Sequence, residues 1–196
     1  MYGPPGVERV VAGFSEAYGL GQHYRSATHS VALMAPANGR MVPRTVVMEG
    51  KDNGSMDRTA VVLDDGALKV TAIEVNHKPV EPAYGYRFDY KGRSLVISGD
   101  TAFHLPLAKA AAGTDVLFHE AESQHMLQAA DISNRANAKL LAIYHADPPV
   151  RNLFLEKMFT RGLAAARKGD WLISQDGTLI ELPLNGNQIK LGSIAQ

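Results

Sequence analysis

Leu95-Val96-Ile97-Ser98-Gly99-Asp100-Thr101 is the stretch on which the reading of this chain turns. Three apolar residues make a buried strand, two small residues end it, and a carboxylate follows at the exposed edge. A strand delivers its last side chains to a sheet edge with little freedom. Ile73-Glu74-Val75-Asn76-His77 and Leu140-Leu141-Ala142-Ile143-Tyr144-His145 repeat the pattern and close on histidine, and Val116-Leu117-Phe118 leads to His119 in the same way. The carboxyl ends of strands are where α/β sheets place ligands. Singly, each histidine reads more readily as a structural residue than as a ligand. Four such strand ends in one chain point to a site, and the set His77, Asp100 and His145 suits zinc.

Outward from these strand ends the chain divides in texture. Val7, Val10, Val11 and Phe14 share one helical face after Pro4-Pro5-Gly6, and Gly19 and Gly21 are expected to end that helix. Thr45–Met48 reads as a strand. Thr59–Leu63, Leu68–Val75, Tyr84–Tyr90 and Ser94–Ser98 read as strands joined by Asp64-Asp65-Gly66 and Lys91-Gly92-Arg93 hairpin turns. Beyond Asp100 strands alternate with helices: Leu105–Ala112, Ser123–Asn137 and Val150–Lys168 are the helices, and Trp171–Ser174 and Leu179–Leu182 the closing strands. An antiparallel half followed by a β/α half predicts a layered α/β sandwich. Residues 1–196 show no internal repeat and no linker, and read as a single domain.

Composition narrows the function classes. Lys+Arg and Asp+Glu both total 20, the basic residues are scattered, and this gives no electrostatic case for a nucleic-acid partner. There is no cysteine, so any zinc must be held by His and carboxylate. No apolar run reaches transmembrane length. The opening Met1–Gly6 lacks the pattern of a signal peptide, and the composition leaves cytoplasm and periplasm both open.

Taken in order, Val75-Asn76-His77, Tyr84-Gly85-Tyr86-Arg87, Ser98-Gly99-Asp100-Thr101, Phe118-His119-Glu120-Ala121 and Tyr144-His145 closely resemble the metallo-β-lactamase superfamily, and within it the ribonuclease Z-like branch. Tyr2-Gly3-Pro4-Pro5-Gly6 looks like the loop after that branch's first metal motif. The resemblance implies an αββα sandwich of which this chain carries the C-terminal two-thirds, with the N-terminal segment absent. It also implies a dinuclear zinc hydrolase. His77 matches a ligand of the first zinc, Asp100 the carboxylate bridging both, and His145 a ligand of the second. His119 and Glu120 match the start of the family's His-Glu-Ala-Thr segment, with Glu122 standing where the family has Thr, and an orienting role is implied for them. His125 is the candidate proton donor to the leaving group.

Two departures shape the functional expectation. The family's His-x-His-x-Asp-His motif, two ligands to each metal, occurs nowhere in these 196 residues, and the spacing of His23 and His29 cannot imitate it. With two protein ligands per zinc, weak or partial occupancy is expected. The bare Lys91-Gly92 turn leaves no room for the branch's tRNA-gripping arm. The expected substrate is therefore a small phosphodiester, sulfate ester or lactone, with no nucleic acid, no membrane and a possible homo-oligomer as partners. Three readings stay open: an incomplete copy of a zinc hydrolase, a catalytically dead scaffold or binding module of the same fold, and a split enzyme. His104 is expected at the surface at a helix start, and Arg87 in a salt bridge with a nearby acid.

Overall fold

The computed structural model describes residues 1–28, 39–50, 52, 54–121, 125–146 and 153–194, with backbone alone over 153–156. His29, Glu122 and Pro148-Pro149 lie outside the described residues. The chain divides into two compact units, Met1–Val47 and Met48–Gln196. The division falls inside Thr45–Met48, which the sequence reads as one strand.

In the first unit β1 (Tyr2–Gly3) pairs in parallel with β2 (Arg44–Thr45), and α1 spans Val7–Thr28. The strand expected at 45–48 is only this two-residue pairing. Of the apolar face read from the sequence, Val7 and Val11 are buried, whereas Val10 and Phe14 stay about half exposed. Gly19 and Gly21 do not end α1. Both keep a negative φ, and neither adopts the left-handed cap that would stop the helix, so each costs about 1 kcal/mol relative to alanine without breaking it.

The second unit is built on one sheet. Its strands are β3 (Thr59–Asp64), β4 (Leu68–Val75), β5 (Ala83–Tyr90), β6 (Arg93–Ile97), β7 (Val116–Glu120), β8 (Leu140–Tyr144) and β9 (Asp170–Ile173), in that spatial order. From β3 to β6 the pairing is antiparallel, and from β6 to β9 it is parallel. Both hairpin turns stand where the sequence places them. The parallel crossovers carry α2 (Leu105–Ala110), α3 (Met126–Ala136) and α4 (Leu153–Ala166). A further hairpin, β10 (Thr178–Glu181) with β11 (Lys190–Ser193), follows the sheet.

Strand alternation divides the core in two. Ile73, Val75, Val96, Leu117, Leu141 and Ile143 pack with Leu107, Ala129, Ile132 and Leu163 of the helices. Val116, Leu140 and Ala142 face the other way, against Phe118, Leu172, Ile180, Leu182 and Ile189. β8 is thus buried on both faces, which is why its sequence is a continuous apolar run. Each fully buried Leu or Ile contributes about 1.5–3 kcal/mol. Asn137 ends α3 in the left-handed conformation, φ 51°, with its N–H on the carbonyls of Ser133 and Asn134. The layered α/β expectation holds, with helices on one face of the sheet and the β10–β11 segment on the other. Among the described residues no helix is long and apolar enough to cross a membrane.

At the far end of the sheet from the strand termini, Arg93 and Asp115 form a buried ion pair, Nε to Oδ2 at 3.1 Å. Asp115 also accepts from the Ser94 N–H at 2.8 Å and from the Lys139 ammonium at 2.7 Å. The rest of the Arg93 guanidinium donates to the carbonyls of Pro183, Gly186 and Gln188, in the turn between β10 and β11. Burial alone would raise the Asp115 carboxyl, but Lys139, the Ser94 amide and Arg93 together hold it below the usual carboxylate range. Arg87 makes its expected ion pair, with Asp89 at 2.9 Å.

Candidate functional site

The carboxyl ends of β4, β6, β7 and β8 open onto one cleft of about 240 Å³, lined by Asn76, His77, Lys78, Asp100, Thr101, Ala102, Glu120, His125 and His145. All three sequence-predicted ligands line it, and so do Glu120 and His125. His119 does not.

The loop after β6 is held by backbone and side-chain bonds. Ser98 takes the Glu120 N–H on its hydroxyl oxygen at 3.0 Å, and its own N–H donates to the Phe118 carbonyl at 2.9 Å. The Thr101 N–H donates to Glu120 Oε1 at 3.3 Å. The Asn76 carbonyl accepts from Ala102 N–H at 2.7 Å and from the Thr101 hydroxyl at 3.4 Å. These bonds fix the segment carrying Asp100 to the strand ends carrying His77 and Glu120. Glu120 itself is almost fully buried, so its carboxylate acts inside this clamp.

Backbone contact makes the approach closer still. A Cβ on Gly99, where φ is +65°, would stand 2.6 Å from the Tyr84 carbonyl oxygen, and one on Gly85 would stand 2.6 Å from the Ser98 carbonyl oxygen. Only glycine tolerates both the positive φ and the proximity. Gly99→Ala is expected to cost about 2–4 kcal/mol in urea unfolding, from left-handed strain and the clash together. It should also weaken zinc uptake, because Asp100 is the next residue; unchanged stability and zinc uptake would refute this account.

His145 follows the last residue of β8 and adopts φ 51°, an uncommon conformation for a non-glycine residue. The turn brings Nδ1 to 3.4 Å from Asp100 Oδ1, with both side chains about half exposed. An ion pair this exposed contributes little stability by itself. The separation does match the span between two donors on one tetrahedral ion at bond lengths of about 2.0–2.1 Å, which is about 3.4 Å. His77, Asp100 and His145 therefore fit zinc in donor type, and Asp100 with His145 fits it in spacing. Among the described residues, however, no three His, Asp or Glu side chains stand close enough together to grip one ion.

His125 occupies the position before α3, lines the cleft, and makes no capping bond to the helix with its imidazole. His119, one residue from Glu120 but on the opposite face of β7, is buried on the helix side of the sheet. Its Nδ1–H donates to the Glu120 carbonyl, and its Nε2 is buried without a partner. Burial, above all, pushes its pKa down from 6.5 to about 4, so the ring is neutral at pH 7. In the unfolded chain the same ring titrates near its ordinary value, so the unfolded state binds the proton first as pH falls. Stability is thus complete above about pH 6.5 and is lost progressively down to pH 4, by about 3 kcal/mol. His119→Leu should flatten that limb of the stability–pH curve; an unchanged slope would assign the loss to other groups.

His104 is a correction. It is not a surface residue: it is 6% exposed, and its Nε2–H is shared between the carbonyls of Met56 at 2.8 Å and Glu74 at 3.2 Å. A helix-start position suggests solvent, but here the carbonyls of Met56 and Glu74 hold the ring inward. Sequence reading also passed over Asn76, Lys78 and Thr101 as lining residues. Their adjacency to His77 and Asp100 was the available signal. His23 lies on α1, in the other unit.

No protein-family model matches this chain. It is 35% identical over 119 residues to the ribonuclease Z of Mycobacterium avium, a match covering 61% of this chain and 38% of the relative. The chain thus spans about two fifths of that relative's length. Among solved structures, the metallo-β-lactamase fold protein YhfI from Bacillus subtilis aligns with a TM-score of 0.53 at 16% identity, over 76% of this chain and 55% of that one. The human tRNase Z, short form, aligns with a TM-score of 0.51 at 22% identity, over 75% and 60%. The expectation that excluded nucleic acid is overturned by the likeness to ribonuclease Z. Neutral overall charge was the wrong guide, since a formal sum over the whole chain says nothing of the few groups that meet a substrate in a cleft.

Proposed function

We propose that this chain, ribonuclease Z-like in sequence and of the metallo-β-lactamase fold, belongs to a metal-dependent hydrolase that cleaves phosphodiester bonds in RNA. The observation that carries the reading is the convergence of His77, Asp100 and His145 on one cleft, with His145 Nδ1 and Asp100 Oδ1 3.4 Å apart. The likeness to ribonuclease Z favours RNA over sulfate esters and lactones, which stay as the competing small-ester substrates.

His77, Asp100 and His145 would hold the metal. A bound zinc supplies Lewis acidity, polarising the ester and lowering the pKa of water toward 7. Glu120 keeps the Asp100 loop in place through the Thr101 N–H. Its carboxylate is thereby engaged with the backbone. His125, which lines the cleft and makes no capping bond to the helix, would give a proton to the leaving oxygen. His119 lies behind the sheet and acts, in this reading, through the backbone of Glu120.

A second reading, a catalytically dead scaffold, is favoured by the absence among the described residues of three ligating groups within reach of one ion. Zinc content per chain, measured with cleavage of a single-stranded RNA and hydrolysis of a sulfate ester and a lactone, separates these. Zinc-dependent RNA cleavage supports the hydrolase; zinc-loaded protein that cleaves none of them supports the scaffold.

A further inference from the structure

We propose that Lys78 is the anion-binding and specificity-determining residue of the cleft, contacting a phosphate that flanks the scissile one and so selecting a polyanionic strand over a neutral ester. The inference rests on the phosphodiester reading above and deepens it.

The lining is poor in positive charge. Asp100 and Glu120 are carboxylates, and Lys78 is the one lysine or arginine among the described residues that line the cleft. A substrate phosphate entering this cleft meets two carboxylates, and an approaching polyanion needs a fixed cation to offset them. Lys78 is the residue after His77, and its four-carbon stem carries the ammonium farther from the backbone than an imidazole reaches. It therefore suits the next phosphate along a strand better than the reacting one.

The local structure presents the side chain rather than burying it. The Lys78 N–H approaches Asn76 Oδ1 at 3.5 Å, and the Val80 N–H closes a turn on the His77 carbonyl at 2.8 Å. The Lys78 ammonium is 3.4 Å from Glu81 Oε1, with side chains 63% and 50% exposed. A pair this open is worth little and is screened by salt. It holds the ammonium near the cleft without committing it, and a phosphate displaces Glu81 at small cost.

The test is binding of a fluorescein-labelled single-stranded RNA octamer to the zinc-loaded chain, followed by anisotropy across a salt series. Lys78→Gln should weaken binding about tenfold, as the loss of one charge-assisted contact predicts. The slope of log affinity against log salt should fall by about one. Lys78→Arg should bind as the wild type does. Glu81→Gln should tighten binding about two- to threefold by freeing the ammonium. Lys91→Gln, at the β5–β6 turn at the opposite end of the sheet, removes the same charge and should change little. Lys78→Gln binding like the wild type, or Lys91→Gln weakening it equally, overturns the inference alone. Absence of RNA binding by the wild-type chain overturns the RNA reading and this inference with it.

Discussion

Arg93→Met is expected to lower the free energy of unfolding by about 3–5 kcal/mol, the largest stability effect of any single substitution considered for this chain. The guanidinium is 6% exposed and holds a carboxylate that is 4% exposed, so its removal leaves Asp115 a buried charge with Lys139 as the remaining cation. Carbonyls at Pro183, Gly186 and Gln188 lose their donor at the same time. Urea unfolding of the two proteins gives the difference. Hydrogen exchange should show the β10–β11 turn opening before the sheet. Asp115→Asn gives a second route to the same network and removes the acid-side pH dependence that this carboxyl gives the wild type. Because the Asp115 carboxyl is held below its unfolded value, its stabilisation is present above about pH 4 and is lost as pH falls through the lower folded value. A loss under about 1 kcal/mol for Arg93→Met would mean that the network is dispensable.

On the proposed hydrolase reading, Asp100→Asn should abolish RNA cleavage and weaken zinc binding by at least about 100-fold, since even an outer partner of a metal ligand is worth 10–100-fold. The amide keeps the shape of the side chain but loses the negative charge and one good donor. Asp100 is nearly half exposed, and among the described residues its side chain meets only the exposed His145 ring, so the unfolding free energy should stay within about 0.5 kcal/mol of the wild type in the metal-free protein. His145→Ala should copy the metal defect. Zinc titration of the three proteins by calorimetry reads the outcome. Equal zinc affinity in Asp100→Asn and wild type would remove Asp100 from the ligand set.

Much of this was readable from residue types alone, for a physical reason. Leu140–Tyr144 is apolar throughout because β8 is covered on both faces, and that run, followed by His145, marks a buried parallel strand with a cleft-lining residue at its end. Leu68–Val75 alternates near its start and is buried without a break from Ala72 to Val75, with Glu74 the one charged residue there and paired with Arg58. The shift of α1 past Gly19 and Gly21 was not readable, because a glycine inside a helix and a glycine that caps one differ only in φ. Nor was the inward turn of His104, which depends on two carbonyls far off in sequence. The sequence pattern brought His119 and Glu120 together as one candidate pair. The pleat sends them to opposite faces of β7, so one meets the cleft and the other the helix layer.

The contact between Gly85 and Gly99 has a consequence for how such a cleft can diversify. Because main chain meets main chain there, the approach of β5 to the loop carrying Asp100 is set by the backbone itself. A change at Lys78 can re-tune what enters the cleft while the Asp100 loop stays where the backbone of β5 holds it. Recognition and the proposed metal site are thereby open to separate change, and selectivity can drift by a single surface substitution.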